Sequence, residues 1–156
     1  MKQILFVCLG NICRSPLAEG LFIHHVEQNG LGARVSGDSA GTSDWHVGEP
    51  PHPGSVRAAE KLGVSLAGQR CRQVMADDFC RFDVILGMDG NNVANLKAMR
   101  PALPVAGKAE IALFMDYAGL GRRDVPDPWG KGAAAYDSVG GMIREATPLI
   151  VARLLA

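Results

Sequence analysis

The sequence predicts an α/β chain, a single-domain doubly wound four-stranded parallel sheet with helices on both faces. Two observations point there. Short apolar runs at 4–7, 34–40, 82–86 and 111–115 alternate with longer segments of helical spacing. Strands that read as continuous apolar runs belong to sheets covered on both faces. The polar residues with chemical potential cluster just after these runs, where such sheets bind ligands. At 156 residues, 47% hydrophobic and 21% charged, residues 1–156 suit one domain around one sizeable core.

Taken in order, Ile4 to Val7 is the first strand and is followed by Cys8-Leu9-Gly10-Asn11-Ile12-Cys13-Arg14-Ser15-Pro16. Ser15 reads as a helix cap and Pro16 as the first helical position. The helix then runs to Gln28 on an apolar stripe of Leu17, Leu21, Phe22 and Val26, and Asn29-Gly30 stops it. His24 and His25 lie on this helix with no partners spaced for a metal. Arg34 to Ala40 is the second strand. Gly41 to Gly54, rich in Gly and Pro, is a surface loop carrying Trp45-His46. An indole on a loop is either a core anchor or a ligand wall. Ser55 to Leu62 and Arg70 to Phe79 are the next expected helices, with the Phe82–Leu86 strand after them. Gly87-Met88-Asp89 ends that strand. A helix from Asn91 to Met99 follows, broken by Pro101 and Pro104. Ile111 to Met115 is the fourth strand, 124–132 a loop, and Tyr136 to Leu155 the last helix, with Pro148 a possible kink site.

The loop after the first strand carries the chemistry. Cys8 and Arg14 close its two ends. Free backbone N–H groups and the positive end of the following helix would point into its centre, which makes an anion site. Helix N-termini and nearby cations favour thiolate over thiol. Arginine is always charged and offers a planar fork to a tetrahedral oxyanion. A nucleophile in such a cradle suits covalent catalysis on phosphate or on an analogue such as arsenate. Asp127, between Pro126 and Pro128, is either an Asp-Pro turn or a carboxyl held in one direction to act as an acid.

Val7 to Pro16, with Ala18-Glu19, resembles the signature of the low-molecular-weight protein tyrosine phosphatases. The similarity continues at Asp38-Ser39-Ala40-Gly41-Thr42 with Trp45, at Arg70 and Gln73, at Met88-Asp89 and at Pro126-Asp127-Pro128-Trp129. The resemblance implies a nucleophilic Cys8, an oxyanion-binding Arg14 and a general acid Asp127. Leu9, Gly10, Asn11, Ile12, Cys13 and Ser15 would form the substrate loop, with Trp45 and Trp129 as aromatic walls. Asn11 and Ser39 would support the loop by side-chain hydrogen bonds. Ile12 resembles the tyrosine-directed branch, since arginine-directed members tend to carry Thr there. Cys13 implies a reversible disulfide with Cys8 on oxidation. The chain departs from the family's pattern at Gly130, where a second aromatic is common, and at His52, where Asp is common. The implied activity is hydrolysis of phosphotyrosine proteins and aryl phosphates through a phosphocysteine. No cofactor or metal is expected, because loop and arginine supply the positive field.

Other classes fit less well. Net charge is zero, so no global field favours nucleic acid or a membrane surface. Ile4 to Val7 is too short for a secretory leader, and no apolar run suggests a membrane span. Cysteines 8, 13, 71 and 80 form neither a Cys-x2-Cys pair nor a secreted framework, so a cytoplasmic setting is expected. Gly37 to Gly41 satisfies Gly-x-Ser-x-Gly, but a Pro-rich loop follows instead of the helix that motif needs. The alternatives are an arsenate reductase relaying oxidation through Cys71 or Cys80, and a phosphoryl carrier or anion-binding module with no use for Asp127. Oligomeric state is not legible.

Overall fold

The computed structural model describes residues 1–100 and 107–156. Four strands, β1 (Lys2–Cys8), β2 (Val35–Gly41), β3 (Val84–Gly87) and β4 (Glu110–Leu113), form one sheet in the order β2-β1-β3-β4. All pairs are parallel. Cys8 lies opposite Gly41, Val7 opposite Gly87, and Gly87 opposite Leu113. The carboxyl ends therefore share one edge. The chain leaves β1 for β2 on one side and later returns to β3 on the other, so Cys8 sits at the topological switch point.

Strand alternation sorts the core. Ile4, Phe6, Val84 and Leu86 pack on the face covered by α1 (Arg14–Gln28) and α6 (Ala133–Leu155), with α2 (Pro53–Lys61) against both helices. Phe6 is wedged edge-on between Phe22 and Phe114, at 5.4 and 5.9 Å between ring centres. Leu5, Val7 and Ile85 face the other way, towards Phe79 of α3 (Asp78–Arg81), Phe82, and Leu96 of α4 (Gly90–Met99). A one-turn α5 (Phe114–Tyr117) follows β4. The doubly wound parallel sheet expected from the apolar runs is the fold observed. Among the described residues no helix is long and apolar enough to cross a membrane.

Three local expectations need correction. Ser15 does not cap α1: the helix starts at Arg14, Cys13 holds the cap position, and Pro16 is the third helical residue, still within the first turn, where its missing N–H has no intrahelical partner to lose. The Ser15 hydroxyl is engaged behind the loop instead. Residues 70–77 are not helical. Their backbone bonds across to the loop edge, with Gly41 N–H to the Arg72 carbonyl at 2.8 Å and Val74 N–H to the Gly41 carbonyl at 2.8 Å. Only Asp78–Arg81 makes a turn of helix. The fourth strand is Glu110–Leu113, and Phe114 and Met115 begin α5. Helix α6 continues through Pro148. Pro101 and Pro104 lie outside the described residues.

Candidate active site

Residues 8–14 wrap a tight loop from the end of β1 into α1. Five of its carbonyls, those of residues 8, 9, 11, 12 and 13, are taken by groups outside the loop. Thr42 N–H donates to the Cys8 carbonyl at 2.9 Å, Ser43 N–H to Leu9 at 3.0 Å, and His52 N–H to Ile12 at 2.7 Å. The Cys71 thiol donates to the Asn11 carbonyl at 2.7 Å, and the Ser55 hydroxyl to that of Cys13 at 2.9 Å. The amides of residues 9–13 have no acceptor among the described residues. A peptide chain with its carbonyls tied outside presents its N–H groups inside, and such a concave row attracts an anion. Asn11 makes the bend possible at φ 57°, a left-handed conformation asparagine tolerates. Gly41 lets β2 end directly beneath the loop: a Cβ there would lie 2.8 Å from the Leu9 carbonyl oxygen and 3.1 Å from the Asn11 nitrogen.

Cys8 is 2% exposed, and its Sγ lies 3.0 Å from the Ser15 hydroxyl. The Asn11 amide donates to that hydroxyl's oxygen at 2.9 Å, which leaves the hydroxyl hydrogen free for the sulfur. Arg14 is buried at the same loop. Its Nη1 donates to Asp89 Oδ2 at 2.6 Å and to the Val125 carbonyl at 3.0 Å. The Nε–Nη2 edge is left for a bidentate oxyanion. Asp89 is held in turn, since it caps α4 through a reciprocal capping box with Asn92. Asp127 Oδ2 stands 3.9 Å from Arg14 Nη2, and Trp129 N–H donates to its other oxygen at 3.1 Å. The carboxyl is half exposed and aimed at the guanidinium. Cys8, Arg14, Asp127, Trp45 and Trp129 line one cleft of about 200 Å³, with Leu9, Gly10, Ile12 and Cys13 completing the wall near the loop. The two indoles are 69% and 63% exposed, so they serve the rim and not the core.

The family model for low molecular weight phosphotyrosine protein phosphatases matches residues 3–155. The chain belongs to this family. A low molecular weight protein-tyrosine-phosphatase of Bacillus subtilis, YfkJ, is 40% identical over 130 residues, covering 83% of this chain and 81% of its own length. The low molecular weight phosphotyrosine protein phosphatase of Schizosaccharomyces pombe is 40% identical over 136 residues, covering 86% and 85%. The crystal structure of YfkJ superposes with a TM-score of 0.86 over 97% of this chain and 93% of that one, at 35% identity. A Drosophila arginine phosphatase is similar too, with a TM-score of 0.88 at 30% identity over 97% and 96%.

Within this phosphatase fold, the residues expected from sequence divide into two sets. Those above line the cleft. Asn11, Ser15 and Ser39 turn their side chains behind the loop, where the Asn11 amide bridges both hydroxyls. Cys13 lines the cleft, and its Sγ lies 3.5 Å from the Tyr136 hydroxyl. Burial pushes the thiols of Cys13 and Cys71 up to about 11. All four cysteines are free.

Three residues named in the sequence reading have contacts that it did not foresee. Asp89 is the carboxylate that holds Arg14; the signal was Asp89-x-x-Asn92 at the end of a strand, a capping pattern. His46 lines the cleft, with Nδ1 2.7 Å from Glu49 and its ring against Gly10, and nothing local marks it. His52, left unexplained, accepts the Gly54 N–H at 2.9 Å, caps α2 and stacks on Tyr136 at 5.1 Å. It does the capping that Asp would do at this position.

Proposed function

We propose that this cleft hydrolyses phosphotyrosine in proteins and small aryl phosphates through a phosphocysteine. One observation carries the reading: a buried thiol, a row of loop amides without acceptors among the described residues, a buttressed arginine and a carboxyl 3.9 Å from it share one small cleft. The loop amides and the Arg14 edge hold the phosphoryl oxygens and favour the charge-spread transition state. Cys8 Sγ attacks phosphorus as the ester oxygen departs, and Asp127 gives that oxygen its proton. Asp127 then takes a proton from water, whose oxygen attacks phosphorus and releases phosphate and the thiolate. Trp45 and Trp129 offer a slot for a flat aryl group. Ile12, apolar and at the cleft wall, suits an aryl ester and gives a phosphorylated guanidinium no polar partner.

The reading takes residues 1–156 as one phosphatase domain working in the cytoplasm, where its cysteines stay reduced. It requires no metal or cofactor. On oxidation Cys8 and Cys13 form a disulfide that protects the nucleophile. Turnover of aryl phosphates of graded leaving-group pKa tests the reading. Cys8→Ser should abolish it. Asp127→Asn should slow poor leaving groups by about 10²–10⁴-fold and good ones much less. Equal slowing across the series would remove the acid from Asp127, and turnover by Cys8→Ser would remove the nucleophile.

A further inference from the structure

We propose that Glu19 is a positioning residue of the phosphate loop, acting through the Ser39 hydroxyl and the Asn11 side chain on Ser15 and Cys8. The inference rests on Cys8 being the nucleophile.

The hydrogen bonds behind the loop have only one consistent direction. Arg72 N–H donates to Asn11 Oδ1 at 2.9 Å. The carboxamide cannot flip without setting that donor against its own NH2. Asn11 Nδ2 therefore gives both its hydrogens away, to Ser15 Oγ at 2.9 Å and to Ser39 Oγ at 3.0 Å. Each hydroxyl, having accepted, keeps its own hydrogen to give. Ser15 has Cys8 Sγ at 3.0 Å, with the Ala40 carbonyl at 3.4 Å. Ser39 has Glu19 Oε1 at 2.6 Å.

Ser39 is 5% exposed, and among the described residues its Oγ bonds only to Asn11 and Glu19. Without the Glu19 oxygen, its hydrogen has no acceptor in that setting and must turn towards the Asn11 amide, a donor. A buried donor left in that state is costly, and the site relaxes by giving up one of the Asn11 bonds. Asn11 is also the left-handed residue of the loop. Loosening it frees Ser15 from the orientation that serves the sulfur. Glu19 thus holds the far end of a chain whose near end is the nucleophile.

The charged groups facing Glu19 are Asp38 on β2 and Arg72 in the 70–77 stretch, with Arg70 beside it in an open cavity. Burial pushes the Glu19 carboxyl up to about 7, opposed by the Ser39 bond. Protonated or not, it keeps an oxygen able to accept from Ser39.

The test compares Glu19→Leu, Glu19→Met, Glu19→Gln, Ser39→Ala and the Glu19→Leu/Ser39→Ala pair in the full chain. The readouts are the rate of iodoacetate alkylation mapped to the Cys8 peptide and kcat/KM for p-nitrophenyl phosphate. Glu19→Leu should lower both by about 5–10-fold, the worth of one buried hydrogen bond. Glu19→Met, of similar length, is read the same way should Leu fail to fold. Glu19→Gln, which still offers an oxygen, should stay within about two-fold of wild type. In the Ser39→Ala background the Leu change should add nothing. Undiminished Cys8 alkylation in Glu19→Leu or Glu19→Met, a full additive loss on top of Ser39→Ala, or a Gln variant as impaired as Leu would each overturn the proposal. Wild-type protein that alkylates at Cys8 but turns over no ester would sink the phosphatase reading instead, and the alkylation comparison would still decide the part played by Glu19.

Discussion

At the scale of single residues, the site is a division of labour between groups that line the cleft and groups that hold them. Cys8, Arg14 and Asp127 were legible because each carries its context beside it: a strand before, a helix after, prolines on both sides. Asp89 was harder. Its contact with Arg14 joins residues 75 apart, and only the fold brings them within 2.6 Å. His46 was illegible for the same reason. Cys13 belongs to this scale too. Burial pushes its thiol up to about 11 and so favours the protonated form; in the proposed redox role it would react with an already oxidised Cys8 instead of competing for oxidant. Peroxide should therefore inactivate the wild type and dithiothreitol should restore it, whereas Cys13→Ser should be lost irreversibly. Identical recovery of wild type and Cys13→Ser after peroxide would remove the disulfide from the account.

At the scale of elements, the apolar strands and the long amphipathic helices were readable from periodicity. The 70–79 stretch was misread because its polar residues mimic helical composition while their work is lateral. Arg72 pairs with Asp38 and Asp78, and the Cys71 thiol and Arg72 amide both serve Asn11. No local pattern announces a segment whose partners are a loop 60 residues earlier. The start of α2 shows the opposite case, a cap hidden by an unusual residue. His52→Ala should cost about 1 kcal/mol in urea unfolding, the usual worth of an N-cap, and His52→Asp should recover most of it. If Asp is no better than Ala, the His52 contribution is its stacking on Tyr136 and not the cap.

At the scale of the whole molecule, the parallel sheet gathers its carboxyl ends on one edge and puts Cys8, the proposed nucleophile, at the switch point. That much follows from strand order. What the order does not reveal is the cost of the site's supports. Glu19 is a carboxylate whose folded form resists ionisation: its pKa is raised from 4.5 to about 7. Between those values the folded chain holds a proton that the unfolded chain has released, so stability falls as pH rises through this window and levels off above it. Glu19→Gln has no such proton. Relative to wild type it should gain on the order of 2–3 kcal/mol in unfolding free energy between pH 4.5 and pH 8. A difference that does not change with pH would mean that Glu19 ionises freely in the fold.

The central claim is covalent: phosphorus passes through the sulfur of Cys8. Rapid acid quenching of the full chain during turnover of a radiolabelled aryl phosphate, followed by peptide mapping, tests it directly. The label should ride on the peptide containing Cys8, rise within the first turnover and vanish in Cys8→Ser. Steady release of phosphate with no labelled peptide at any quench time, or with the label on another residue, would contradict it.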